Sequence, residues 1–147
     1  MNPRLLLTAV AVVAAGFGAF AADQKVELKS LPAGVQKAIR DETKGATLVG
    51  LSEEREDGKV LYEAETKVNG HTRDLLFDST GALVEVEEEV AIDAVPAPVR
   101  SALMTRGKVL KIESLTKGGT VTYEAQVEKN GKKTEVVVDA KGNAVER

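Results

Sequence analysis

The segment VLYEAETKVNG at residues 60–70 decides the fold, because it returns 61 residues later as VTYEAQVEKNG at residues 121–131. In both copies apolar or small residues alternate with charged or polar ones, and both copies end in Asn-Gly. Alternation with a period of two is typical of a strand with one buried face, and Asn-Gly favours a two-residue hairpin turn. One segment therefore predicts a strand, a hairpin and an internal repeat.

The repeat extends on both sides of this segment. Upstream, LPAGV at residues 31–35 matches VPAPV at residues 95–99, and downstream, DSTG at residues 78–81 matches DAKG at residues 139–142. In the first copy Val35, Ala38 and Ile39 are spaced as on one face of a helix, and the second copy keeps this spacing. Each copy is therefore predicted to begin with a short helix that has one apolar stripe.

Turn residues divide the rest of each copy into strands. Asp57-Gly58 and Gly118-Gly119 predict a first hairpin, Asn-Gly predicts a second, and the Asp-x-x-Gly segments predict a third turn. Three turns separate four strands in each copy. The sequence thus predicts an α+β fold of two tandem repeats, each one helix packed on a four-stranded antiparallel β-meander, with boundaries at 26–89 and 90–147.

The period of two also predicts which side chains face the helix of each copy. This inward set is Val49, Leu51, Tyr62, Ala64, Leu75, Phe77, Val84 and Val86, then Leu110, Ile112, Tyr123, Ala125, Val136, Val138 and Val145. The residues between them point outward. They form the candidate partner-binding face: Glu63, Glu65, Asp74, Glu85, Glu87, Glu124, Gln126, Glu128 and Glu135.

Residues 1–21 have the layout of a signal peptide, with Arg4, a following apolar stretch, and small residues at Ala19 and Ala21. A membrane anchor is the alternative, since an apolar stretch of about 17–25 residues can span a bilayer. No basic cluster follows the stretch, which favours cleavage. We therefore expect a periplasmic or secreted bacterial protein.

Composition excludes several kinds of function. The chain has no Cys and one His, His71, so Cys-based catalysis, thiolate metal sites and a histidine-rich metal centre are not expected. His71 follows a turn, where a solvated surface role is expected. The net charge of −3 argues against binding nucleic acid or an anionic membrane. No enzymatic activity, cofactor or metal site is predicted.

The outward carboxylates allow two functional hypotheses beside a solvated surface. They could meet a basic partner, or they could gather Ca²⁺, which prefers oxygen ligands. No calcium-binding loop of the D-x-D-x-D-G type occurs in the sequence. An acidic strand face that only discourages edge pairing is the simplest interpretation.

The combination of a signal peptide, L-P-x-x-V-x-x-A-I at residues 31–39, Y-E-A-E at 62–65, V-N-G at 68–70 and F-D-x-x-G at 77–81 resembles tandem PepSY-like proteins of the β-lactamase-inhibitor-like type. The resemblance covers residues 26–146. It implies an exported, non-enzymatic binding or inhibitory module whose open sheet face recognises a protein or peptide, such as a peptidase or another envelope protein. The alternative is a small-ligand or calcium-responsive envelope sensor that uses the acidic face.

Overall fold

Strands make up most of the chain. The computed structural model of the protein describes residues 24–56 and 58–146, so the predicted signal peptide at residues 1–21 lies outside the described residues. In chain order the elements are β1 (Gln24–Lys25), α1 (Ala33–Glu42), β2 (Thr47–Glu56), β3 (Lys59–Val68), β4 (His71–Asp78), β5 (Leu83–Glu89), α2 (Ala97–Met104), β6 (Lys108–Lys117), β7 (Thr120–Lys129) and β8 (Lys132–Asp139), with 3₁₀ turns at Leu28–Ser30 and Ile92–Ala94.

All eight strands belong to one antiparallel sheet, in which each strand lies beside its neighbours in sequence from β1 to β8. Tight turns produce this order. Asn69 and Gly70 have φ angles of 52° and 86°, and Asn130 and Gly131 have φ angles of 54° and 74°. Positive φ at both turn positions matches the right-handed twist of the flanking strands. Both predicted Asn-Gly hairpins are confirmed.

The predicted fold class, two tandem repeats of one helix on a four-stranded meander, is wrong. β5 and β6 pair from Glu85 opposite Lys117 to Glu89 opposite Glu113, so the strands form one continuous sheet and the protein is mostly β. After β8, a single bridge between Val138 and Ala144 stands where a fourth strand was predicted.

The physical reason for this error lies at the edges of the predicted meanders. Alternation and turn residues locate strands, but they carry no information about which backbone satisfies the outer N–H and C=O groups of an edge strand. Unpaired backbone groups at a sheet edge readily form hydrogen bonds with another strand. Here β5 and β6 satisfy each other. The division at residues 89 and 90 into two repeats stays a prediction.

Both helices pack on the same side of the sheet, each over its own apolar cluster. Val35 and Ile39 of α1 pack with Leu75 and Phe77. The second cluster is arranged in the same way, with Val95, Val99 and Leu103 against Ile112, Ala125, Val127 and Val138. Burial of these side chains supplies the main stabilisation of each half of the sheet.

Three members of the predicted inward set are exposed instead. Val49 and Leu110 are 56% and 38% exposed, because each is the extra residue of a β-bulge between paired neighbours. A bulge inserts one residue and interrupts the period of two on which the prediction depended. Val145 is 39% exposed: its N–H donates to the Val137 carbonyl oxygen of β8 at 3.0 Å, but its side chain is not part of the apolar cluster under α2.

The turns after β4 and β8 touch the beginnings of the helices. In the first, Asp78 Oδ1 accepts hydrogen bonds from the backbone N–H groups of Thr80, at 2.9 Å, and Ala82, at 3.1 Å. The Thr80 hydroxyl also donates to this carboxylate and lowers the pKa of Asp78. A Cβ added at Gly81 would lie 2.6 Å from the carbonyl oxygen of Gly34, so only glycine fits there.

We predict that Gly81→Ala lowers the free energy of unfolding by at least about 1 kcal/mol more than Gly70→Ala. Both glycines have positive φ, at 93° and 86°, so both variants carry the left-handed backbone strain. A Cβ at Gly70 meets nothing within 4 Å, whereas one at Gly81 meets the backbone of α1. Urea unfolding measures the difference, and equal losses would show that the turn does not pack tightly against the helix.

Candidate protein-binding face

The side of the sheet opposite the two helices is the candidate binding surface, and we call it the open face. Strand register places on it the side chains Ser52, Glu54 and Glu56 of β2, Lys59, Leu61, Glu63, Glu65 and Lys67 of β3, Thr72, Asp74, Leu76 and Asp78 of β4, Glu85, Glu87 and Glu89 of β5, Lys108, Lys111, Glu113, Leu115 and Lys117 of β6, Thr120, Thr122, Glu124, Gln126 and Glu128 of β7, and Lys133, Glu135, Val137 and Asp139 of β8.

All nine residues of the predicted partner-binding face lie on the open face, because they alternate with residues of the two apolar clusters. Their role in binding stays a prediction. Glu54, Glu89 and Glu113 lie among them but were missing from the prediction. Continued alternation after Leu51, Val86 and Ile112 could have found all three.

Negative charge is concentrated on the open face. The face carries fourteen carboxylate residues and six lysines, a formal surplus of eight negative charges. The whole chain has a net charge of −3, so the residues outside the open face are net positive by five. The two sides of the sheet therefore differ strongly in electrostatic potential.

Strand register aligns carboxylates with each other across the middle of the open face. One row joins Glu65, Asp74 and Glu87 on three adjacent strands. A second row joins Glu89 of β5, Glu113 of β6 and Glu124 of β7. Like charges directly opposite each other are destabilising in antiparallel pairs. In the second row the Nζ of Lys111 lies 2.6 Å from a carboxylate oxygen of Glu113, so one positive charge offsets part of the repulsion among three carboxylates. A sheet that keeps such rows sacrifices some stability on this face.

Two carboxyl groups of the open face, those of Glu63 and Asp74, hold their protons more tightly than usual. Burial and the neighbouring Glu54 carboxylate raise the pKa of Glu63 to about 7, although the buried Ser52 hydroxyl donates a hydrogen bond to Glu63 at 3.0 Å. Burial also raises the pKa of Asp74, against the effect of the Thr66 N–H that donates to it at 3.2 Å. Glu113 and Glu65 add to the shift of Asp74. Desolvation and like charge both disfavour the ionised form.

An ion cluster around Lys117 lies at one end of the open face. Its Nζ lies 3.2 Å from a carboxylate oxygen of Glu56 and 3.2 Å from one of Glu85. Glu56 belongs to β2 and Lys117 to β6, four strands apart, a separation of about 19 Å in a flat sheet. The sheet therefore curves strongly, and the open face is concave at this end.

This curvature buries apolar side chains on the open face without help from either helix. Leu61, Leu76 and Leu115 are 6%, 4% and 4% exposed. A hollow of about 330 Å³ lies on one side of Lys117 and is lined partly by Leu115, Thr122 and Val137. A second hollow of about 260 Å³ on the other side is lined partly by Leu61 and Val84. The inward position predicted for Val84 is therefore wrong, because Val84 is the extra residue where the register between β4 and β5 shifts.

The single histidine, His71, lies outside the open face. His71 is exposed at the start of β4, as predicted, and register puts it on the helix side of the sheet. Within residues 24–56 and 58–146, no three His, Asp or Glu side chains are grouped so as to hold a metal ion. None of the helices in the same ranges is long and apolar enough to cross a membrane. Calcium binding by the acidic face stays a prediction.

Several solved structures are similar to this chain. A protein provisionally described as periplasmic, from Bacteroides eggerthii, is 21% identical with a TM-score of 0.65, covering 79% of this chain and 86% of that one. A DUF2874 family protein from Bacteroides ovatus is 18% identical with a TM-score of 0.62, covering 79% and 85%. A BLIP-like protein from Bacteroides fragilis is 21% identical with a TM-score of 0.58, covering 79% and 84%.

These likenesses show the fold, and a BLIP-like fold agrees with part of the resemblance drawn from the sequence. The tandem PepSY-like assignment stays a prediction. The predicted periplasmic location agrees with the description of the Bacteroides eggerthii protein. No protein-family model and no curated protein matches the chain.

We predict that the protein becomes less stable as pH rises from about 4.5 to about 7. Glu63 holds its proton up to about pH 7 in the folded chain but releases it near its ordinary value of 4.5 when unfolded. The folded chain therefore binds more protons across this window, so the free energy of unfolding falls with rising pH. For a half-buried carboxyl we expect about 1 kcal/mol, or a Tm change of about 3–5 °C.

Thermal melts at pH 5 and pH 8 check this expectation. Glu63→Gln should reduce the difference between the two Tm values, whereas Glu128→Gln, on the same face but on β7, should leave it unchanged. A difference that persists in Glu63→Gln would assign the pH dependence to other groups.

We also predict that Lys117→Gln lowers the free energy of unfolding by about 1–2 kcal/mol. Glu85 is 5% exposed, and the variant removes the cation beside this buried carboxylate. Lys67→Gln removes the same charge from an exposed position of the open face and should cost less than about 0.5 kcal/mol. Equal losses in urea unfolding would show that the ion cluster does not stabilise the curved end of the sheet.

Proposed function

We propose that this protein is an exported, non-enzymatic module that binds a protein or peptide through its open face. The observation that carries the proposal is the concave, eight-stranded surface opposite both helices, with two hollows beside Lys117. Binding sites are generally concave, and the charged side chains of this face can provide long-range attraction and specificity for a partner. The tandem PepSY-like resemblance supports the same proposal.

The size of the open face favours a macromolecular partner over a small ligand. Measured along its curved surface, the face spans about 29 Å from β2 to β8, since adjacent strands lie about 4.8 Å apart. Strands of ten residues, such as β3 and β7, are about 33 Å long. A specific protein interface needs about 800 Å² on each partner. The open face supplies this area, whereas its hollows are small.

The arrangement of reactive groups supports a non-enzymatic role. The chain has no Cys, and its one His lies on the helix side of β4, away from the carboxylates of the open face. General acid–base or nucleophilic catalysis needs a base within hydrogen-bonding reach of the group that it activates. The carboxylates of the open face instead lie in rows, an arrangement suited to long-range charge recognition.

Site-specific photo-crosslinking tests this proposal. A benzophenone amino acid at Glu124, in the middle of the open face, is expected to give an adduct of defined mass in living cells of the source organism. The same group at Lys37, on the solvent side of α1, is the matched control and should give none. Excess protein without the crosslinker should abolish the adduct. Equal adducts from both positions, or none from Glu124, would contradict binding through the open face.

A further inference from the structure

The distribution of charge defines the chemistry of the partner. We propose that the open face binds a basic segment of another protein in which Lys or Arg recurs at every second residue. This inference rests on the proposed function and adds the class of partner to it. Its basis is charge complementarity: the face carries a formal surplus of eight negative charges, while the rest of the chain is net positive.

The spacing of the carboxylates matches an extended polypeptide. On β5, Glu87 and Glu89 point to the open face and are about 6.6–6.8 Å apart, the distance between alternate residues of a strand, whereas Glu85 is already paired with Lys117. A partner segment with cationic side chains at alternate positions has the same repeat. One small cation could neutralise only one or two neighbouring carboxylates, whereas such a segment lying along a strand reaches carboxylates at successive outward positions.

Binding of cations relieves two costs that the free protein carries. The first is the repulsion within the row Glu65–Asp74–Glu87 and within the row Glu89–Glu113–Glu124, where Lys111 supplies one positive charge, 2.6 Å from Glu113. The second is the cost of ionising Glu63, whose neighbours on the open face are Glu54 and Ser52 of β2, Asp74 of β4 and Glu65 of β3. An arriving guanidinium or ammonium group favours the ionised carboxylate. Binding then releases the Glu63 proton to solvent.

The hollows add an apolar component at the curved end. The hollow of about 330 Å³ exposes parts of Leu115, Thr122 and Val137 beside the Lys117 ion cluster. Val145 and the carboxylates of Glu56, Glu85 and Glu146 also line it, so it offers both aliphatic contacts and negative charge to the end of the basic segment. Charge would then set the register of the segment, and the hollow would fix its end.

Fluorescence anisotropy with defined peptides tests the inference on the whole protein. The probes are two labelled twelve-residue peptides, one alternating arginine and serine and one alternating glutamate and serine. We expect the arginine peptide to bind and the glutamate peptide not to bind. Affinity for the arginine peptide should weaken about tenfold or more in the triple variant Glu65→Gln, Glu87→Gln, Glu124→Gln, because three carboxylates of the open face, on β3, β5 and β7, are lost.

A matched variant separates the open face from net charge. Glu27→Gln, Glu42→Gln, Asp93→Asn loses the same three negative charges outside the open face and should change the affinity by less than about twofold. Equal weakening in the two triple variants would overturn the inference. Far-ultraviolet circular dichroism of each variant confirms that its fold is retained before affinities are compared.

The dependence on pH gives an independent readout. Affinity for the arginine peptide should strengthen between pH 6 and pH 8, and this change should be smaller in Glu63→Gln. An affinity for the arginine peptide that does not change between pH 6 and pH 8 would overturn the inference that binding releases the Glu63 proton. If Glu124 crosslinks a partner but the arginine peptide does not bind, the basic partner is wrong and the proposed function stands. If Glu124 crosslinks nothing, the proposed function itself fails.

Discussion

The antiparallel ladder between β5 and β6 is the constraint on which the rest of the structure depends. It joins Glu85–Glu89 to residues 113–117 and turns two groups of strands into one sheet. Both helices then lie on one side, and all the outward-facing carboxylates lie on the other. The same ladder brings Lys117 of β6 beside Glu85 of β5. In this position the Nζ of Lys117 also lies 3.2 Å from a carboxylate oxygen of Glu56 on β2. Without it, neither the width nor the curvature of the open face would exist.

Electrostatic repulsion on the open face opposes the stabilisation that the apolar clusters on the helix side provide. Rows of carboxylates repel each other, and a half-buried Glu63 resists ionisation. The two helix-side clusters compensate, since residues such as Phe77 and Val138 are completely buried. Proteins commonly sacrifice stability where a surface has another use. The conflict between local repulsion and retained acidic rows is therefore an argument for function, and it favours a partner that supplies positive charge.

Much of this arrangement follows from the sequence, and there are physical reasons why the remaining features could not be predicted from it. Turn residues and a period of two located the strands and assigned Leu51, Leu75 and Phe77 to the helix side, where they are buried. The same period failed at Val49 and Leu110, since a bulge leaves no mark in an alternation of apolar residues. Pairing of β5 with β6 could not be predicted, because it depends on backbone groups that every residue carries. The outward position of the nine predicted site residues followed from parity, but the ion cluster at Lys117 depends on curvature.

The separation of charge between the two sides of the sheet also affects how the molecule moves before any contact forms. A surplus of negative charge on one side and of positive charge on the other gives the protein an electric dipole across the plane of the sheet. In the field of an approaching cationic body, such a dipole rotates until its negative end leads. A larger share of collisions then occurs in a productive orientation, and association accelerates without any change in the contacts finally made. Ions in the surrounding fluid weaken this alignment over about 8–10 Å, so the encounter rate is set partly by the salinity of the compartment.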